Sequence, residues 1–153
     1  MLFSKKGQAS VDILIIVIFL LLFLYVYNIL ATNTASTLEI NRINNQEKTI
    51  AISINNFLKL QDSIIGSSTT HNNIVDYSST IEIPYINIPS KRQGCVIDIN
   101  SEKITIDSNY DNTTYRYSLN TNLSANDFVL PITINCGALL SCSNNNFKLE
   151  CRG

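Results

Sequence analysis

The chain has 153 residues, room for one domain and a tail, since single cores usually need roughly 100 to 150 residues. Lys and Arg number 11 against 12 Asp and Glu, so the chain lacks the basic surplus that a nucleic-acid partner favours. Hydrophobic residues reach 45%, but residues 13–31 supply much of that share, and the rest is rich in Asn, Ser, Thr and Ile with few charges, which suits a neutral extracellular protein.

The first element is the apolar run. Between positions 13 and 31 the only polar side chains are Tyr25, Tyr27 and Asn28. At about 1.5 Å per residue this helix nearly matches a hydrocarbon core of about 30 Å. Tyr25 and Tyr27 fall near its distal end, where amphipathic aromatics settle at a membrane interface. Lys5 and Lys6 precede it, which places the N-terminus in the cytoplasm and the C-terminal part outside. A cleaved secretory signal fits poorly, because the run exceeds the usual 7 to 15 or so apolar residues and "ILATNTAS" offers no good small-residue cleavage site. A plain single-pass anchor fits the hydropathy but leaves Gly7, Gln8 and Asp12 without a role.

Lys6, Gly7, Gln8, Ser10 and Asp12, followed at once by the apolar run, resemble the class III signal peptides of archaeal type IV pilin precursors. The resemblance covers about the first 30 residues. It implies cleavage by a prepilin peptidase between Gly7 and Gln8, ahead of the helix, so that the helix stays on the mature protein. Gln8, Ser10 and Asp12 then occupy the first, third and fifth mature positions, with Asp where the family usually has Glu. Cleavage exposes an α-amino group on Gln8 that is largely cationic at neutral pH. Asp12 is expected to pair with that amine, in its own chain or a neighbour's, and so to set register during assembly. At 4 Å and an effective dielectric near 20 the gross attraction is about 4 kcal/mol, much of it offset by desolvation. The bland alternative is that Asp12 caps the helix or marks the interface.

Beyond the run, Leu38, Ile43, Ile50, Ile54, Phe57 and Leu58 recur mainly three, four or seven apart, an amphipathic pattern. With no Pro or Gly between positions 8 and 65, one long helix is predicted from residue 9 to about residue 60, with Gly66 as its terminator. The weak point is "ATNTASTL", where Asn and Thr admit a bend.

The C-terminal part turns to period two. Residues 80–88, 95–100, 103–107 and 114–120 alternate apolar and polar side chains as half-buried strands do, and "VLPITINC" and "NFKLEC" add two candidates. Pro84 and Pro89 mark the first as an edge or irregular strand. The expected fold is α+β: a long helix, bare in its first half, packed in its second half on one antiparallel sheet of four to six strands. The division is a leader at 1–7, an assembly or membrane half-helix at 8–31, an amphipathic half-helix at 32–65, a polar linker at 66–79 and a β head at 80–153.

Cys95, Cys136, Cys142 and Cys151 all lie in the head, and an even count outside the cell points to two disulfides rather than a zinc site, which would want a Cys-x-x-Cys pair. Of three connectivities Cys95–Cys136 with Cys142–Cys151 is preferred, the other two staying open. Asn112–Thr113–Thr114 and Asn122–Leu123–Ser124 are N-glycosylation sequons. His71 stands in a polar linker with no partner pattern for catalysis, and no phosphate loop, cofactor motif or metal cluster is visible, so no enzymatic activity, cofactor or metal is expected. The resemblance implies a major or minor pilin, membrane-bound as a precursor and then part of an extracellular pilus that serves in adhesion. Its partners would be other copies or other pilins, the prepilin peptidase, a membrane platform and a cytoplasmic assembly ATPase. A single-pass anchored extracellular binding domain that does not polymerise is the rival.

Overall fold

The structure, a computed structural model, describes residues 5–69, 78–88, 91–123, 128–145 and 148–153, with side chains of the helix described from Val11 to Ile64. Among the described residues one helix, α1 (Lys5–Thr69), precedes nine strands: β1 (Ser78–Glu82), β2 (Ile86–Ile88), β3 (Lys91–Gln93), β4 (Cys95–Ile99), β5 (Lys103–Tyr110), β6 (Thr113–Asn120), β7 (Ile132–Asn135), β8 (Leu139–Asn145) and β9 (Lys148–Arg152). The α+β class expected from the sequence is the fold observed. By internal contacts the chain forms two units, Met1–Ile40 and Asn41–Gly153.

The helix is longer than its sequence predicts. It runs to Thr69, so Gly66 does not end it, and with β1 starting at Ser78 the linker shrinks to residues 70–77, which lie outside the described residues together with His71. A glycine inside a helix costs only about 1 kcal/mol relative to Ala and forbids nothing. The "ATNTASTL" segment is helical throughout. Its hydroxyls turn back onto the helix: Thr32 Oγ1 donates to the Asn28 carbonyl at 3.0 Å, Thr34 Oγ1 to Leu30 at 2.7 Å and Thr37 Oγ1 to Asn33 at 2.9 Å. Each hydroxyl thereby keeps an acceptor without leaving the helical path.

In the second unit the helix buries one face: Ile43, Glu47, Ile50, Ala51, Ile54, Leu58 and Gln61 are all shielded, and Phe57 is half-buried. Leu38, assigned to that stripe from sequence, is instead 64% exposed. It precedes the segment that has a sheet to pack on. Gln46 ties the helix to β2 with two hydrogen bonds, its Nε2 donating to the Asn87 carbonyl and its Oε1 accepting the Asn87 N–H, both at 2.7 Å.

The strands do not form one sheet. Four make the antiparallel order β6-β5-β4-β7, three make β1-β8-β9, and β2-β3 is a separate ribbon. Pro84 explains the first break, since its missing N–H ends β1 before β2 begins. The polar strands β3 and β8 carry too little alternation to be seen in sequence. The alternation elsewhere is real: Ile97, Ile99, Ile104, Ile106, Ile132 and Ile134 line the inner face, each buried. Full burial of such side chains contributes roughly 1.5 to 3 kcal/mol apiece. Between β5 and β6 the turn tightens to Asp111 and Asn112, with φ of 49° and 59°, so Tyr110 and Thr113 belong to the strands. Two positive φ values match the strand twist, and Asp and Asn tolerate them better than most residues. Gly137, at φ 85°, lies under the Tyr85 ring, where any Cβ would collide with the ring.

Candidate functional site: an exposed apolar helix and a cross-linked β unit

Among the described residues the first unit has no buried core. From Val11 to Leu30 every large apolar side chain is exposed, from 41% at Ile29 to 71% at Phe23. Its most apolar window has a mean hydropathy of 3.0 and is long enough to cross a membrane. Soluble monomers rarely expose apolar patches beyond a few hundred Å². Such a surface calls for lipid or for other apolar helices.

At its N-terminal end the backbone of Lys6, Gly7, Gln8 and Ser10 is helical, and their side chains lie outside the described residues. Asp12 is described and exposed. Its carboxylate sits on the same bare helix as Ile13 and Ile16, in a position that a neighbouring chain can reach.

The second unit closes its own core and staples it. Cys95 is bonded to Cys136 and Cys142 to Cys151, leaving no free thiol for a metal. The first bridge joins β4 to the end of β7, where the Cys136 N–H also donates to the Cys95 carbonyl at 2.9 Å. The second links residues directly opposite each other on β8 and β9. Among the described residues no group of three or more His, Cys, Asp and Glu is placed to hold a metal ion.

Two charged features sequence reasoning missed lie on opposite faces of β5. On the inner face Ser108 Oγ donates to Glu47 Oε1 at 2.5 Å, and Glu47 Oε2 has no hydrogen-bond partner. Burial pushes the Glu47 carboxyl above its ordinary range, the Ser108 hydrogen bond opposes that, and nearby Asp107 adds to it. The available signal was phase: Glu47 falls in step with Ile43, Ile50 and Ile54 on the buried side. On the outer face Arg116 binds Asp107 through two hydrogen bonds of 2.6 and 2.7 Å, which hold the Asp107 carboxyl below its usual range. Asp98 accepts from Thr133 Oγ1 at 2.7 Å beside them.

The two sequon asparagines are accessible. Asn112 stands exposed at the β5–β6 turn. Asn122 is exposed on the rim of an open depression lined by Ser101, Glu102, Asn120, Thr121 and Leu123. Ser124, which completes that sequon, lies outside the described residues.

Comparisons with protein families, with curated proteins and with solved structures return no match.

Proposed function

We propose that this chain is the precursor of a pilin-like structural subunit rather than an enzyme. It enters the membrane with Lys5 and Lys6 inside, is cut between Gly7 and Gln8 by a prepilin peptidase, and polymerises through its apolar helix into an extracellular filament. A platform protein and a cytoplasmic ATPase drive the transfer from lipid to filament. The filament serves in attachment, the role the resemblance suggests. One observation carries the reading: the apolar segment from Val11 to Leu30 is exposed throughout, while the β unit buries its own core and needs no help from that segment. A helix of this kind moves from lipid to neighbouring helices without a change in its own fold. Packing in a bundle replaces lipid contacts by helix contacts, and Asp12 with the Gln8 amine then resists insertion out of step, because a mismatched subunit leaves charges buried and unpaired.

Intact mass and N-terminal sequencing of the protein from cells test this directly. A mature chain starting at Gln8 is expected, with added mass reporting glycans on Asn112 or Asn122. A chain still starting at Met1 would favour an anchored ectodomain that does not polymerise, and one starting near Thr32 or Ser36 an ordinary secreted protein; either result overturns the proposal. Ile16→Asp places a second charge one turn beyond Asp12, inside the apolar run, at a cost below the about 3 kcal/mol of a helix centre on insertion scales. It is expected to abolish filament incorporation while the β unit still folds, as read by electron microscopy and by retention of both disulfides.

A further inference from the structure

The β unit carries two open strand edges that complement each other. Among the described residues β6 is an outer strand of the order β6-β5-β4-β7, and β1 is an outer strand of β1-β8-β9. In an antiparallel ladder residues alternate between turning their N–H and C=O inward to the neighbour and outward to the free edge. The Thr121 N–H donates to the Glu102 carbonyl at 2.7 Å, continuing the β5–β6 register. Residues of that parity therefore face β5, and Thr114, Arg116, Ser118 and Asn120 turn their backbone groups outward. On the other edge the Ile83 N–H donates to Ala138 at 3.0 Å and its carbonyl accepts from Gly137 at 2.8 Å, so Ile83, Ile81 and Ser79 face β8. Ser78, Thr80 and Glu82 turn outward.

We infer that β6 of one copy adds antiparallel to β1 of a second copy, joining their sheets edge to edge. One register satisfies every constraint at once: Arg116 opposite Glu82, Ser118 opposite Thr80 and Asn120 opposite Ser78, each pair turning backbone groups toward the other. The same register lays half-buried Tyr117 against partly buried Ile81 on the inner face and matches exposed side chains on the outer face. Arg116 and Glu82 are the only charged residues of their strands. Arg116 keeps 66% of its side chain exposed while bound to Asp107, which leaves it room for a second carboxylate. Shifting the register by two residues retains the backbone pairing but faces Glu82 with Thr114 and loses the charge pair. The contact uses different surfaces on the two copies, so each copy keeps a free β6 or β1 edge for a further copy until the assembly ends as a ring or runs on as an open chain. It concerns the β unit alone and holds whether or not Gly7 is a cleavage site, adding to helix bundling a second contact between copies.

Charge reversal in the full-length chain, purified in detergent micelles, tests the pairing by sedimentation-based self-association. Glu82→Arg and Arg116→Glu are each expected to weaken association about tenfold, and the double reversal to recover most of it, because like charges are opposed in each single variant and unlike charges in the double. A role of Arg116 confined to Asp107 predicts no effect of Glu82→Arg and no rescue; that pattern overturns the inference. Ser118→Pro deletes an outward N–H and no β5 hydrogen bond, a site where an edge strand accepts Pro. It is expected to weaken association by a similar factor with both disulfides and the circular dichroism unchanged; native association of that variant overturns the inference too. Loss of association in Ile16→Asp with no response to the edge variants removes the edge contact and leaves the pilin reading intact. Association that follows the edge variants in a chain still beginning at Met1 removes the pilin reading and leaves the edge contact.

Discussion

Ile16 and Ile54 are the same residue on the same helix, yet one exposes 63% of its surface and the other 1%. Around Ile16 nearly every neighbour is apolar on all sides of the helix, which is how a segment looks when its solvent is lipid or other helices. Around Ile54 the buried apolar residues keep to one face, while Lys48, Asn56 and Lys59 take the other with only Ile52 and Leu60 among them, which is how a segment looks when a sheet covers one side. Periodicity, more than hydrophobicity, separates the two. The difference teaches that one continuous helix can hold two environments, provided the pattern changes along it.

Breaking the β unit should leave the first unit's chemistry untouched. The largest effect is expected from removing the long bridge with Cys95→Ser and Cys136→Ser together. With the two cysteines 41 positions apart, about 4 kcal/mol of stability should be lost, read by chemical denaturation of the full chain. Ile104→Ala, at a fully buried site on the inner face, should cost about 3 kcal/mol by the same assay. Both variants should still enter membranes like the native chain; a change in membrane partition would show that the regions are coupled.

The charges across β5 sharpen the comparison further, because the two carboxyls should bend the pH profile from opposite sides. Glu47 has its folded value raised above the ordinary 4.5, so above that value the folded state holds a proton that the unfolded chain has released. Stability from this group therefore falls as pH rises through the folded value. Asp107 has its folded value lowered below the ordinary 3.8, so its contribution is present above that value and is lost as pH falls through the folded one. Glu47→Gln removes the first slope and Asp107→Asn the second. Thermal melts from about pH 3 to 8 should show stability highest in the mildly acidic range and each variant flattening one side only. The smallest effect is expected from Phe19→Ala. Phe19 is 69% exposed, so melting of the β unit should shift by less than about 0.5 kcal/mol while membrane partition weakens.

Much of this architecture was legible in the residues. The run at 13–31, the phase of Ile43, Ile50 and Ile54, and the alternation of Ile97, Ile99, Ile104 and Ile106 each follow from one side chain's preference repeated at one period. Such local signals survive reading one residue at a time. The resemblance that proposes Gly7 and Gln8 as a processing site likewise rests on neighbouring residues alone.

What sequence left open is what depends on partners far along the chain. Gly66 looks like a stop, and the helix passes through it because a glycine's preference is weak. Strand β8 carries Ser, Cys and Asn, whose faces are assigned only when β1 and β9 take its two edges. The phase of Glu47 puts it on the buried side, but the group that receives its carboxylate, Ser108, stands 61 positions away and is known only from the folded chain. The opposed edges of β6 and β1 exist only once strands have chosen neighbours. Periodicity is written into the chain by local sterics, and pairing is settled by which distant surfaces can bury each other. The sequence by itself determined one long helix, alternating strands and an even set of cysteines. Among the described residues the tertiary structure decided three sheets instead of one, a buried acid, and which strands stand at the sheet edges.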